Sequence, residues 1–388
     1  MNQIDGQQVH QVHVEVPKTF ASVGASVGVA PTTVRKIPLY ACGGCGINVG
    51  AMIANMQRTI KAEDRTHHAV AEVHYIDGST QNYGSIPAAD QKDNTYVMRR
   101  RDASVDLLHN PDGEELSGGG GDRAFMAAIA AKEAESVLSR WPASDEMNVV
   151  AMSAAGSVGA TMGAHIFKQI LAQGKPVVVI LVSVNASSLR ASNSAKTWMT
   201  LMQFQHNSNT SAGVFHAVNS GASRNAEIKT DDAIMAFWLN FSNVLAGTAQ
   251  RLDARDIKNW LHFNQVFKTD AQLLLVDAYT TAASMQKADH DFVSAIGIQR
   301  EDLTDTAAAD TVLGKVLYNK VGVISSTTPP FNEAYLTARP LSADLLRDVD
   351  NNLTNAQSAV VAATQAQQQR NALINRFTAE DNDGLGVL

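Results

Sequence analysis

Cysteine is nearly absent from this 388-residue chain, which holds only Cys42 and Cys45. So few thiols in so long a chain exclude a disulfide scaffold and fit a reducing compartment. No apolar run comes near the roughly 20 residues that a membrane-spanning helix needs, so no membrane insertion is expected. The opening MNQIDGQQVHQVHVEVPK lacks a basic segment followed by an apolar block. No secretory signal is read there, and a cytosolic setting is expected. Positive charge is also short, with 31 Lys and Arg against 38 Asp and Glu, for a net charge of −7. That balance argues against a general nucleic-acid binder, which needs a basic surface. What is present is 45% hydrophobic and 18% charged residues, enough to bury a large interior. Bulk disorder is excluded, and two packed domains are expected at this length.

Residues 1–35 are polar and read as a flexible or lateral-contact extension. Regular patterning follows. KIPLYAC (36–42) is a strand, followed at once by glycines and the helical INVGAMIANMQRTIK. VAEVHYI (70–76) is a second strand, ending at Asp77-Gly78-Ser79. A glycine run at 118–121 opens the helical DRAFMAAIAAKEAESVLSRW, and MNVVAMS (147–153) and PVVVILVSV (176–184) read as buried strands. Between those two lies AAGSVGATMGAHIFKQILAQ, a small-residue turn running into a helix. Strands alternating with helices predict an α/β fold with a doubly wound parallel sheet. The segment 230–250 reads as a helix with Asp231 and Asp232 in its first turn, where the dipole favours acids. Strands at 271–279 and 315–325 are assigned to a second, smaller α+β unit. Residues 341–376 form one long polar helix, and 377–388 a short acidic tail.

Three strand-to-helix loops are small or glycine-rich: 43–46 (GGCG), 118–121 (GGGG) and 155–160 (AGSVGA). Ligands of a parallel sheet bind at such ends, where glycines let backbone amides approach an anion and helix dipoles favour negative charge. A polyphosphate ligand is the expectation. The competing reading of Cys42-Gly43-Gly44-Cys45 is a redox or zinc pair. A structural zinc normally takes four ligands, and no further cysteine exists to supply them. His67 and His68 are read as solvated polar residues, and no protein-held metal cluster is expected.

These loops resemble those of the tubulin/FtsZ superfamily. ACGGCGINV is similar to its first nucleotide loop, GGGGDR (118–123) to its third, and RLDARDIKNWLHF (251–263) to its synergy loop, with Asp253 and Asp256 in the D-x-x-D positions. Arg251, the helix holding Trp260, LYNKVGV (317–323) and an acidic tail after a long helix resemble more narrowly the PhuZ group, the tubulins of nucleus-forming bacteriophages. The resemblance spans 36–388 and implies a nucleotide-binding domain (36–229), a central helix (230–252), an activation domain (253–340), the long helix and the tail.

It further implies GTP/GDP with Mg2+, cradled by Gly43, Gly44, Gly46, Gly119, Gly120 and Gly121, with Asn48, Asp77 and Ser79 beside the nucleotide. Asp231 or Asp232 falls where the family recognises guanine; complementing a helix N-terminus is the plainer role. Asp253 and Asp256 would act catalytically in the next subunit of a head-to-tail filament; an N-cap with its N3 acid is the plainer role for them. The tail would dock on the neighbouring subunit. The setting implied is the cytoplasm of a bacterial host, with filaments that position a replication compartment and move phage capsids.

One loop departs from the family. Its fourth loop is G-G-G-T/S-G-T/S, whereas this chain has Ala155-Gly156-Ser157-Val158-Gly159-Ala160. Gly156, Ser157 and Gly159 remain as nucleotide contacts, two hydroxyl positions are lost, and Ser157 and Thr161 are the expected substitutes. Three readings stay open: a filament-forming GTPase, a structural relative that turns nucleotide over weakly or not at all, and a Rossmann-type oxidoreductase. The last is disfavoured because no G-x-G-x-x-G opens the first helix.

Overall fold

The computed structural model describes residues 34–100, 114–115, 123–184, 187–219, 223–288, 291–303, 306–325 and 331–384. The glycine run at 118–121, residues 1–33 of the N-terminal extension and the last four residues lie outside this set.

The apolar run Lys36–Cys42 forms β1, buried from its second residue onward, and leads without a loop into α1 (Gly43–Thr59). β2 (Val70–Asp77) lies parallel to it, followed by the short β3 (Thr95–Val97). A two-residue pair, β4 (Arg99–Arg100) and β5 (Glu114–Glu115), stands apart from the main sheet. Then come α2 (Arg123–Arg140), β6 (Asn148–Ser153), α3 (Val158–Ala172), β7 (Val177–Val184), α4 (Ser188–Ser208), β8 (Ala212–Asn219) and α5 (Arg224–Val244). The remainder is α6 (Ala254–Leu261), α7 (Phe263–Phe267), β9 (Leu273–Tyr279), α8 (Ala282–Gln286), β10 (Ser294–Arg300), α9 (Ala307–Leu313), β11 (Tyr318–Ile324), β12 (Glu333–Pro340) and α10 (Ala343–Gly384).

Ten strands join one sheet in the order β11-β10-β12-β9-β8-β7-β6-β1-β2-β3. Only β12 runs against the others. The strands assigned to the smaller unit, β9 and β11, lie in the same ten-stranded sheet, which β9 joins through three register pairs from Ala212↔Leu273 to Val214↔Leu275. Alternation along the strands feeds two large cores, and a smaller third one forms between β10, β12, α8 and α9. Ile37, Leu39 and Ala41 face α1, α5 and α6, while Tyr40 and Cys42 face α2, α3 and α4. Trp238 and Trp260 are fully buried on the first face, and each large apolar side chain sequestered this way contributes about 1.5–3 kcal/mol.

Two helices differ from the sequence reading. α5 starts at Arg224, capped by Ser223 accepting from the Ala226 amide, so its first-turn acid is Glu227. Asp231 and Asp232 therefore lie two turns further in, because the Ser223 cap sets the start and the apolar spacing does not. α10 continues to Gly384, eight residues past the expected end, since nothing between 343 and 383 is glycine or proline. His67 and His68, read as solvated, are buried; a nitrogen of His68 lies 3.1 Å from the Ser242 hydroxyl, beneath the end of α5.

Burial lowers three histidines, His74, His216 and His262, to about 4. These rings fold neutral, so between about pH 6.5 and 4 the unfolded chain binds more protons than the folded one. Stability is then full above pH 6.5 and falls as pH drops through that window, by up to about 1.4 kcal/mol per pH unit for each ring. Urea midpoints from pH 7.5 to 4.5 should show this fall. His262→Phe should have a shallower one, because that ring is buried with neither nitrogen bonded. Parallel curves for the two proteins would show that His262 is not held neutral.

Candidate functional site

The strand order reverses between β1 and β6: from β1 the chain adds β2 on one side, then β6 on the other. A crevice opens at such a switch point, outside the carboxyl ends of the strands. Here it is a cavity of about 510 Å³ lined by Cys42, Gly43, Gly44, Cys45, Asp77, Ser79, Gln81, Asn82, Ser153, Ala155–Gly159, Val184, Leu189, Arg190 and Asn193.

Two glycines make the crevice possible. Gly43 sits at φ +68°, and a Cβ there would come within 2.7 Å of Gly159 Cα. A Cβ on Gly159 would in turn come within 2.6 Å of the Cys42 carbonyl oxygen. The loops after β1 and β6 thus cross in backbone contact. Gly44 faces Asn82, whose side chain would meet a Cβ at 2.9 Å. Gly46 is not part of the wall: it is buried, and a Cβ would fall 2.3 Å from the Ala151 carbonyl oxygen. Its work is the close packing of α1 on β6.

Asp77 closes the loop after β2. It accepts from the Gly78 amide at 2.7 Å and from Asn82 Nδ2 at 2.6 Å, and burial raises its pKa against the pull of those two donors. Ser79 lies beside it on the wall. Asn48 is exposed on α1, where its Oδ1 accepts from the Ser85 hydroxyl at 2.9 Å, so the structure places it outside the lining. Asp231 and Asp232 are exposed. Asp231 is near enough to Cys45 for its charge to add to burial in pushing that thiol up to about 12. Burial, Glu227 and Asp232 raise Asp231 itself.

Ser157 and Gly156 line the cavity, but Thr161 does not compensate for the altered loop. Its buried hydroxyl donates back to the Ser157 carbonyl at 2.7 Å, as threonines inside helices do. The two thiols are free and packed on opposite faces of the sheet, Cys42 with the α2–α4 core and Cys45 with the α1–α5 core. That arrangement excludes a working C-x-x-C pair. Among the described residues no group of three or more His, Cys, Asp and Glu could hold a metal ion, and no helix is long and apolar enough to cross a membrane.

The sequence reading missed the wall supplied by the β7–α4 junction. Arg190 and Asn193 line the cavity from the first turns of α4, which Ser187 caps by accepting from the Arg190 amide. The Ser187 cap after an apolar strand was the available signal.

Asp253 and Asp256 form a reciprocal capping box on α6: the Asp256 amide donates to Asp253 Oδ1 at 2.9 Å, and the Asp253 amide to Asp256 Oδ2 at 3.1 Å. The Tyr318 hydroxyl donates to Asp256 Oδ1 at 3.0 Å, and Lys320 Nζ lies 3.8 Å from the same oxygen. Tyr318 opens β11, which is six strand positions from β6. At about 4.8 Å per strand that is roughly 29 Å, so these carboxylates are remote from their own subunit's cavity.

The loop crossing predicts that Gly159→Ala lowers stability in urea unfolding by about 1–3 kcal/mol, the usual range for overpacking. An unchanged midpoint would show that the two loops have room to part.

The chain matches no family model. It is 25% identical over 287 residues to the phage tubulin-like protein of Pseudomonas phage PhiPA3, covering 71% of this chain and 84% of that one. It is 24% identical over 232 residues to the phage tubulin-like protein of Pseudomonas phage phiKZ, covering 59% and 64%. Among solved structures, the protofilament of TubZ from bacteriophage PhiKZ superimposes with a TM-score of 0.68 at 20% identity, over 85% of this chain and 93% of that one. The phage tubulin PhuZ with GDP gives 0.64 at 17% identity, over 84% and 93%. The chain has the α/β fold of the tubulin/FtsZ superfamily, and its homologues are phage tubulin-like proteins.

Proposed function

We propose that this chain is a GTP-binding cytoskeletal protein that polymerises head to tail and completes hydrolysis at the subunit interface. One observation carries the reading: a small-residue cavity built for an anion, and a pair of carboxylates about 29 Å away that can serve only another copy's cavity. The homologues' name and the GDP in a neighbour of the same fold support a guanine nucleotide as the ligand.

The cavity fits a triphosphate. Gly43, Gly44, Gly156 and Ser157 put backbone on the wall with little side chain to hold an anion away. The described wall has a single carboxylate, Asp77. Magnesium bound to the phosphates would find oxygen donors in Asp77, Ser79 and Asn82, and would supply neutralisation of developing phosphate charge. Gly119, Gly120 and Gly121 complete the cradle on this reading, with Asp231 and Asp232 toward the base. A carboxylate at 231 can accept from both guanine N1–H and N2–H, which adenine does not offer.

In the assembled filament, Asp253 and Asp256 of one subunit reach the next subunit's nucleotide and orient and polarise the attacking water. The capping box does not compete with this role. It fixes both carboxylates while leaving Asp253 exposed, with one oxygen free of the box. A head-to-tail contact is heterologous and propagates into an open filament. α10 suits such a contact: from Gln357 to Ala372 every described residue is exposed, as on a helix that waits for a partner. The PhiKZ protofilament gives the same fold a precedent for assembly. In an infected bacterium the filaments would lie in the host cytoplasm, position the replication compartment and carry capsids. The second reading, a filament protein with weak turnover, is favoured by Val158 and Ala160 in the fourth loop and by the engaged Thr161 hydroxyl.

Pelleting and phosphate release with GTP, for wild type and Asp256→Ala, test the proposal. Wild type should assemble and release phosphate, and the variant should form filaments that persist, with release reduced by about 100-fold or more. No assembly with GTP sinks the proposal, and assembly of both without phosphate release favours the second reading.

Removal of 379–388 tests the tail, whose acids would meet a basic patch on the neighbour while Leu385 or Leu388 enters an apolar pocket. Assembly should then require a higher protein concentration, and an unchanged pelleting threshold rules out docking.

A further inference from the structure

Arg123, the first residue of α2, is half-buried behind the wall that the 154–157 loop presents to the cavity. Its Nη1 donates to Thr197 Oγ1 at 2.6 Å, to the Asn193 carbonyl at 3.2 Å, and at 3.4 Å to the carbonyls of both Ala154 and Gly156. All four partners are neutral. Among the described residues no carboxylate pairs with this guanidinium, whereas Arg35, Arg58, Arg300, Arg339 and Arg347 each have one. Even a half-buried cation with no counter-charge among the described residues gains when an anion comes to it. Burial accordingly lowers its pKa.

The contacts also orient the loop. In a trans peptide the carbonyl of one residue and the amide of the next point in opposite directions. The carbonyls of Ala154 and Gly156 turn to Arg123, and that of Ala155 accepts from Asn193 Nδ2 at 3.3 Å. The amides of Gly156 and Ser157, both on the wall, are therefore turned away from these groups.

We infer that Arg123 is a positioning residue for the nucleotide's phosphates: the fixed positive charge under the 154–157 loop, standing in for the hydroxyls absent at Val158 and Ala160. This rests on the reading that the cavity takes a nucleoside triphosphate. It accounts for how a loop without those hydroxyls holds a polyphosphate, through aimed amides and a half-buried charge behind them.

Equilibrium titration of GTP, GDP and guanosine into wild type, Arg123→Gln and Arg123→Lys, with a thermal melt of each, tests it. Gln keeps donors for the carbonyls and loses the charge, whereas Lys keeps the charge. Arg123→Gln should lose about 10- to 100-fold in GTP affinity, less for GDP and under about threefold for guanosine, while Arg123→Lys holds GTP within about threefold. Adding Val158→Thr to Arg123→Gln should restore part of the GTP affinity. Equal affinity of wild type and Arg123→Gln for GTP overturns the inference, as does an equal loss for all three ligands, the mark of a collapsed loop. Should Arg123→Gln be unfolded at the assay temperature, Arg123→Lys decides: GTP affinity kept supports the inference, and GTP affinity lost by a folded protein overturns it. Failure of wild type itself to bind GTP or GDP is a separate result that removes the cavity reading with it.

Discussion

Everything at the cavity depends on one close contact, the crossing of the β1–α1 and β6–α3 loops at Gly43 and Gly159. The sheet's order reverses there, so two adjacent parallel strands send their following helices to opposite faces. A crevice is unavoidable at such a point. Whether it can admit a phosphate depends on how little side chain fills it. Gly43 adopts a left-handed conformation that most residues avoid, and neither loop has space for a Cβ at the crossing. α1 follows β1 directly and brings its N-terminal amides to the crevice, while Gly46 lets the same helix lie against β6. The thiols beside these glycines are bystanders: Cys42 is core on one face, and Cys45 leans on the core of the other.

The sheet fixes a second constraint, separation. β9, β10, β11 and β12 extend the same sheet past β8, so the D-x-x-D pair is held at the far edge by strands and not by a hinge. Asp256 is tied to Tyr318 and lies near Lys320 of β11, and Asp253 is tied to Asp256. A rigid spacing of roughly 29 Å cannot be closed by the side-chain motions available inside one folded subunit. On the proposed reading, two half-sites on one rigid body make assembly a condition of hydrolysis. The local helix-capping role and the catalytic role then become two uses of the same pair, because a capping box is itself a way to hold two carboxylates still.

Legibility from sequence followed the hydrophobic signal. β1, β2, β6, β7, β9 and β11 are apolar runs, and the structure places each within a few residues of where the pattern puts it. β8, β10 and β12 were not read. β8 carries His216 and Asn219 among its apolar residues, and β12 opens on Glu333 and closes on Arg339 and Pro340. α4 was missed for a more instructive reason. Its buried positions include Ser192, Asn193, Ser194 and Thr197, of which Asn193 and Thr197 contact the 154–156 loop and Arg123, so the helix shows little apolar stripe. A pattern of burial defeats hydrophobic periodicity where the buried surface is itself polar. The glycines at 43 and 159 were legible because the close backbone approach of the two loops needs glycine. The roles of Gly46 and Thr161 were not, because a small or hydroxylated residue near a loop looks alike whether it faces the cavity or the packing behind it.

The altered fourth loop gains a physical meaning from α4 and Arg123. A hydroxyl on the loop offers a phosphate one neutral donor per residue; a guanidinium behind the loop offers a full charge, weakened by distance but strengthened by a water-poor setting. The two solutions differ in what they ask of the wall. Hydroxyl donors need side chains in the crevice, which Val158 and Ala160 no longer provide. A charge behind the wall needs the carbonyls turned inward and the amides outward, and Arg123, Asn193 and Thr197 impose that orientation from α2 and α4. The substitution at 158 and 160 therefore moves the loop's polar contribution from its side chains to its backbone. Such a wall can hold a polyphosphate without contacting it through any hydroxyl at those two positions.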